Sequence, residues 1–283
     1  MRVEKAPARI AEMVEKWKRE GLRVGFVPTM GALHRGHLSL VELALQRADR
    51  VVVSIFVNPS QFGPEEDLKS YPRHPEKDVE ALEEAGVHGV FCPSEDDIYP
   101  PGFSTGVHVS GLAETLCGRY RKGHFDGVAT VCAVLFGIVK PDLAVFGRKD
   151  AQQLAVIRRM VADLRIGVRI LSGEIVREPD GLALSSRNSY LTAEERRQAP
   201  VIHRSLKTAE EMFREGERDA DTIKEAVLKG ISTAPMARVQ YVEVVDPGTM
   251  EPLKTANPPA LLAVAVYFGH TRLIDNVVLK PRG

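Results

Sequence analysis

The 283-residue chain has no net charge, because 38 lysines and arginines stand against 38 aspartates and glutamates. Without a field of one sign, neither nucleic acid nor an anionic membrane is favoured as a partner, and only a local basic patch could reverse that. No apolar run approaches the roughly 20 residues that a membrane-spanning helix needs. The longest, "GVATVCAVLFGIV" from Gly127, predicts a buried helix. The N-terminal "MRVEKAPARIAEMVEKWKREG" alternates charges and has no apolar h-region, so no secretory signal is expected and a cytoplasmic location is. Cysteine is scarce. Cys92, Cys117 and Cys132 are odd in number and far apart, which fits neither a disulfide framework nor a C-x-x-C metal site. They read as small buried or half-buried thiols.

What is present is an alternation. Up to about residue 176, the β-branched runs "RVGFVPT", "RVVVSIFVN", "VHGVFCPS", "DLAVFG" and "GVRILSGEIV" alternate with amphipathic segments of helix length. Nearly continuous apolar strands are buried on both faces, as in a parallel sheet covered by helices on each side. The fold class is therefore α/β, a Rossmann-like doubly wound parallel sheet with a smaller C-terminal α+β domain. A helix is expected from about His37 to Asp49, and a second over "PEKDVEALEEAG" with Gly86 as its C-cap. From Arg177 the chain turns polar, so the boundary is placed between a domain of residues 1–176 and one of 177–283. The second domain should hold a helix opened by a Thr192 and Glu195 capping box, with Pro200 near its first turns, and a further helix over "DADTIKEAVLKGIST". A small antiparallel sheet with a hairpin at "GHT" should complete it.

Four segments carry chemistry. "PTMGALHRGH" follows a central strand and opens a helix, the place where open α/β sheets bind ligands. Pro28, Gly31 and Gly36 let backbone approach a phosphate, and the helix N-terminus offers N–H groups and dipole charge. His34 and His37 could donate to phosphate oxygens. Two imidazoles three apart could instead share a metal ion, although no H-E-x-x-H pattern is present. In "FVNPSQFGPEEDLKSYPRHPEKD", the Asn58 and Gln61 amides suit the oxygens of a small polar substrate, and turn chemistry is their plainer reading. Asp78, at the start of the next helix, complements that helix's dipole. In "DLAVFGRKDAQQLAVIRRM", Lys149 can place a point charge against triphosphate oxygens, with Asp150 available to a ribose hydroxyl or Mg2+. In "LALSSRN", Ser185, Ser186 and Arg187 form a flexible donor cluster suited to polyphosphate.

"TMGALHRGH" resembles the H-x-G-H signature of the nucleotidyltransferase and class I aminoacyl-tRNA synthetase superfamily, and "LSSRN" resembles that superfamily's mobile second signature. Taken in order with "SIFVNPSQFGPEEDL", "YPR", "GHFDGVATV", "FGRKDAQQL" and "REPDGLALSSRNSYL", the set is similar to the pantothenate synthetase family over nearly the whole chain. That resemblance implies an ATP-dependent ligase joining pantoate to β-alanine through a pantoyl adenylate and releasing AMP and pyrophosphate, a step toward coenzyme A. It implies catalytic roles for His34, His37, Lys149, Ser185, Ser186 and Arg187. Family usage makes His37 a proton donor; stabilisation of phosphate charge is equally compatible. ATP would meet Met30, Gly31, Ala32, Leu33, His34, Arg35, Gly36 and His37. It would also meet Gly147, Arg148, Lys149 and Asp150, the backbone of Val176, and Leu184, Ser185, Ser186 and Arg187. Gln61 and Gln153 would grip pantoate, with Gln61 also near β-alanine and Asn58 near the shared pocket. Mg2+ with Asp78 as a ligand and a homodimer are further implications; and because "LSSRN" lies at the domain junction, nucleotide is expected to order it and bring the second domain over the pocket. Two positions differ from the family pattern: Arg148 is basic where an acid or amide is expected, and Lys77 precedes Asp78 where a second acid can occur. The other readings are a different adenylyltransferase, separable by pyrophosphate exchange with a panel of acids, and a non-enzymatic nucleotide- or RNA-binding module.

Overall fold

The computed structural model describes residues 1–64 and 66–281. The chain runs β1 (Arg2–Glu4), α1 (Pro7–Arg19), β2 (Val24–Thr29), α2 (Arg35–Leu45), β3 (Arg50–Ile55), α3 (Pro75–Glu84) and β4 (Gly89–Phe91). It continues through α4 (Glu95–Ile98), α5 (Leu116–Tyr120), α6 (His124–Val139), β5 (Leu143–Gly147), α7 (Ala151–Asp163) and β6 (Arg169–Gly173). The remainder holds α8 (Ala193–Gln198), α9 (Val201–Arg214), α10 (Ala220–Ile231), β7 (Ala237–Val245), β8 (Ala260–Phe268) and β9 (Thr271–Leu279).

The first six strands form a parallel sheet in the order β1-β4-β3-β2-β5-β6. From β2 the chain steps outward to β3 and β4, then crosses back to β5 on the other side and outward again to β6. The reversal leaves a crevice beyond the carboxyl ends of β2 and β5, the switch point where such sheets take ligands. Period two along the strands explains their continuous apolarity. Val24, Phe26, Val52, Ala144 and Phe146 pack with α1, α6 and α7 on one face. Val27, Val51, Val53, Leu143 and Val145 pack with α2 and α3 on the other.

Some boundaries differ from expectation. Helix α2 starts at Arg35 rather than His37, because the His34 side chain caps it. Strand β1 is an addition to the expected elements; its three residues pair at the sheet edge with β4 and carry no apolar signal. The Thr192 and Glu195 box forms, with Glu195 N–H donating to Thr192 Oγ1 at 3.3 Å and Thr192 N–H to Glu195 Oε2 at 2.8 Å. The helix it opens stops at Gln198 and a second begins at Val201. Pro200, which lacks an N–H and crowds the preceding turn, lies at the break.

Strands β7, β8 and β9 form the antiparallel sheet, and Phe268 pairs with Thr271 across the turn at "GHT". Strand β8 is buried on both faces. Leu262, Val264, Val266 and Phe268 pack with α9 and α10, whereas Leu261, Ala263 and Ala265 join the core of the parallel sheet. The second sheet is thus an interior layer between the first sheet's helices and its own.

Candidate active site

His34 and His37 lie at the N-terminus of α2, their rings stacked with centroids 4.0 Å apart. Each commits Nδ1 to the backbone. His34 Nδ1 accepts from Gly36 N–H at 3.1 Å, and His37 Nδ1 from His34 N–H at 3.4 Å. A neutral ring whose Nδ1 accepts must carry its proton on Nε2, so each ring keeps one N–H donor for the cavity both rings line. Burial, then the charge of Lys149, lowers His34 to about 4. Burial, then His34 itself, lowers His37 to about 3. Both rings are neutral at pH 7, and the helix end presents two imidazole N–H donors.

The two glycines make room for side chains. A Cβ on Gly36 would lie 2.8 Å from the His34 ring, so a glycine there lets the ring fold over the helix end. Gly31 has φ +80°, and a Cβ there would lie 2.8 Å from Asp78 Oδ2. Asp78, 3% exposed on α3, accepts from Ala32 N–H at 2.9 Å and Leu33 N–H at 2.8 Å. Both carboxylate oxygens are therefore committed to the 31–33 turn. This corrects the expectation of Asp78 as a metal ligand: it is a clamp that aims the following histidines. The glycines thus leave room for a carboxylate and an imidazole.

The cavity, about 220 Å³, is closed by the other expected segments. Met30 and Gly36 line it from the β2 side; Gly147, Lys149, Asp150 and Gln153 line it from β5 and α7. Val176 and Leu184 line a further wall and are joined by a hydrogen bond from Leu184 N–H to Val176 O at 3.0 Å. Ser185, Ser186 and Arg187 complete that wall. In this structure the loop, expected as a flexible donor cluster, makes contacts with the facing wall. Ser186 Oγ donates to Ala32 O at 3.2 Å, and Arg187 makes a two-pronged pair with Asp67 at 2.8 and 3.0 Å. Burial lowers the Arg187 guanidinium, but its bond to Asp67 outweighs that and raises it.

Asn58 and Gln61 line the cavity at 1% and 8% exposure. Asn58 Nδ2 donates to Gln61 Oε1 and to Gly127 O, both at 3.1 Å, and its Oδ1 accepts from Tyr99 Oη at 2.8 Å. Asn58 therefore orients the Gln61 amide more than it offers its own. Arg35 and Arg148, expected at ATP, point elsewhere. Arg35 is exposed toward Glu178 at 3.4 Å. Arg148 donates to Ser172 Oγ at 3.2 Å and pairs with Glu174. Gly31, Ala32 and Leu33 do not line the cavity; Asp78 holds the amides of Ala32 and Leu33, and Gly31 N–H donates to Thr29 Oγ1 at 3.2 Å.

Sequence reading assigned no role to His124, although "GHFDGVATV" carried part of the resemblance. Its Nδ1 lies 2.8 Å from Gln61 O and its Nε2 lies 2.9 Å from Arg121 Nη1. Arg121 is in turn bound twice at 2.6 Å by Glu66. Burial, then Arg121, lowers His124 to about 4, so a neutral ring donates from Nδ1 to the carbonyl and accepts from the guanidinium at Nε2. Burial raises the Glu66 carboxyl, yet the hydrogen bonds and charge of Arg121 hold it below its ordinary value. The chain Glu66, Arg121, His124 thus fixes the backbone from which Gln61 reaches the cavity. Only proximity in space reveals it, since 55 residues separate Arg121 from Glu66.

Stacked neutral imidazoles at a helix N-terminus, a lysine, a serine–serine–arginine wall and two amides give the cavity a set of donors whose chemistry suits anionic and small polar groups. A model of the family described as "Pantoate-beta-alanine ligase" matches residues 2–278. The chain belongs to the pantoate-beta-alanine ligase family. A member from Thermotoga neapolitana, "Pantothenate synthetase", is 53% identical over 278 residues, which cover 96% of this chain and 99% of that one. The protein of the same name from Pelotomaculum thermopropionicum is 52% identical over 270 residues, 95% of this chain and 96% of its own. Among solved structures, the pantothenate synthetase of Thermus thermophilus superposes with a TM-score of 0.94 at 45% identity, covering 99% of this chain and all of that one. The Francisella tularensis ligase, "Complexed with Beta-gamma ATP and Beta-alanine", gives 0.81 at 33% identity, covering 98% and 97%. The family's fold, a parallel sheet with a small antiparallel one, is the fold found here.

Proposed function

We propose that the protein is an ATP-dependent ligase that joins pantoate to β-alanine, releasing AMP and pyrophosphate, as a step in pantothenate and hence coenzyme A synthesis. The observation that carries this reading is the meeting of His34, His37, Lys149 and Ser185–Arg187 with Gln61 and Gln153 around one cavity. In the first half-reaction a pantoate carboxylate oxygen attacks the α-phosphorus of ATP. The bond to the bridging oxygen breaks, and pyrophosphate leaves with the electron pair. Charge growing on phosphate oxygens is met by the Nε2–H groups of His34 and His37, the Lys149 ammonium, the Ser185 hydroxyl and Arg187, with Ser186 joining them when its hydroxyl turns from Ala32 O. Gln61 and Gln153 hold the uncharged diol end of pantoate with amide hydrogen bonds. In the second half-reaction the free amine of β-alanine attacks the acyl carbon, the C–N bond forms, AMP leaves with the electrons of the broken C–O bond, and the nitrogen gives up one proton to water. The low value of His37 supports a hydrogen-bond donor that stabilises charge rather than an acid that gives up its proton.

Magnesium belongs to this reading as the companion of ATP, where it would neutralise phosphate charge. Among the described residues no three His, Cys, Asp or Glu side chains group to hold a metal. With Asp78 committed elsewhere, Asp150 is the carboxylate that would reach an ion carried mainly by phosphate and water. Asp78→Asn should lower stability by about 1–3 kcal/mol, because an amide nitrogen would face a backbone N–H. Added magnesium should not restore activity. A dose-dependent rescue would return Asp78 to the metal.

The reading further takes residues 177–283 as a lid over the residue 1–176 domain, and the enzyme as a cytoplasmic homodimer. Supporting the lid are the contacts of Ser186 and Arg187 across the cavity. Light scattering at twice the chain mass tests the dimer. The activity is tested by incubating protein with ATP, Mg2+, pantoate and β-alanine: AMP should form only when all are present, and its absence overturns the assignment.

A further inference from the structure

We infer that Arg272 is a specificity residue that anchors the carboxylate of β-alanine in a small chamber beside the nucleotide cavity, an assignment that rests on the ligase reading above. The chamber lies against the first cavity and shares with it Lys149, Asp150, Gln153, Ser185 and Arg187. Its volume is about 60 Å³. A water-sized group takes roughly 10–15 Å³ on the same measure, so the chamber holds a molecule of a few heavy atoms and no nucleotide.

Charge selects the molecule. Arg272, on β9, donates from Nε to Gln240 Oε1 at 2.9 Å and from Nη2 to Cys117 Sγ at 3.3 Å. Its other polar neighbour is the Tyr241 hydroxyl, and among the described residues no carboxylate lies within 4.0 Å of its guanidinium. Its neighbours differ in this respect. Arg121 is matched by Glu66, Arg187 by Asp67 and Arg177 by Asp275. A half-buried guanidinium without a counter-charge is an unfavourable arrangement that an incoming anion relieves. A carboxylate meets such a group through parallel N–H bonds. Two methylenes separate the carboxylate of β-alanine from its amine. An acid end held at Arg272 therefore directs the amine toward the shared wall of Lys149 and Gln153, where the acyl group of the adenylate would stand. A phosphate is the other anion available, but the first cavity already supplies the donors for it.

The test separates the two half-reactions. Arg272→Gln should raise the KM for β-alanine by about tenfold or more, with pantoate-dependent ATP–pyrophosphate exchange and hydroxylamine trapping of the adenylate kept near wild type. Arg272→Lys should fall between the two. The wild type should prefer β-alanine to n-propylamine, which lacks the carboxylate, and Arg272→Gln should lose that preference. Exchange that falls in step with β-alanine turnover, in both variants, would assign Arg272 to the nucleotide or to the fold and overturn the inference. An unchanged KM in Arg272→Gln overturns it alone, whereas wild-type protein that makes no AMP overturns the ligase reading with it.

Discussion

The histidine pair at the N-terminus of α2 and the single histidine that opens α6 have their basicity moved in the same direction, yet they do opposite things. His34 and His37 each satisfy Nδ1 with a backbone amide and keep Nε2–H for the cavity. His124 commits both nitrogens, one to Gln61 O and one to Arg121. A buried neutral imidazole with one nitrogen left over can serve a ligand; one with none left over is a strut. The count of open donors, and not the lowered basicity, distinguishes them.

Removing an open donor should have the largest effect. His37→Ala should slow pantoate adenylation about 100- to 1,000-fold, equivalent to about 2.7–4 kcal/mol for one donor to developing charge, while thermal unfolding moves little. An adenylation rate in stopped-flow or exchange assays close to wild type would erase the distinction. His124→Ala should do the reverse. It leaves a buried carbonyl and a guanidinium N–H unpaired, a loss of about 1–3 kcal/mol in stability, read as a lowered denaturant midpoint. The KM for pantoate should rise through a looser Gln61, and kcat should change less than in His37→Ala. The smallest signal is a proton count at mildly acid pH. All three imidazoles have folded values below the ordinary 6.5, so the folded protein binds fewer protons than the unfolded chain. Their share of stability is complete above pH 6.5 and is lost as pH falls toward 4 and 3. Polyphosphate beside His34 and His37 should raise those two and leave His124 alone. Calorimetry at pH 5.5 in buffers of different ionisation heat should then show proton uptake on ATP binding in the wild type and in His124→Ala, and less in His37→Ala.

Much of the fold was legible because its signals are local. The continuous β-branched strands, the Thr192 and Glu195 box and the "GHT" turn depend on neighbours within a few residues, and each formed. The three residues of β1 had no such signal, since an edge strand this short buries almost nothing. The candidate site was legible as segments at strand ends, and less so as individual roles. Arg148 and Arg35 sit in the right segments but face Glu174 and Glu178, because successive residues at a strand or helix end point in different directions.

The sequence alone determined that a parallel sheet would deliver "TMGALHRGH" and "GRKDAQQ" to one crevice, since apolar periodicity and helix starts are properties of short stretches. Tertiary structure alone decided which polar groups stay open there. Asp78 clamps a turn 46 residues away, Asp67 pairs with Arg187 across 120, and Glu66 reaches His124 through Arg121. Whether a buried donor is satisfied or available depends on partners that only the folded chain brings within about 3 Å, and no local pattern of residues encodes that.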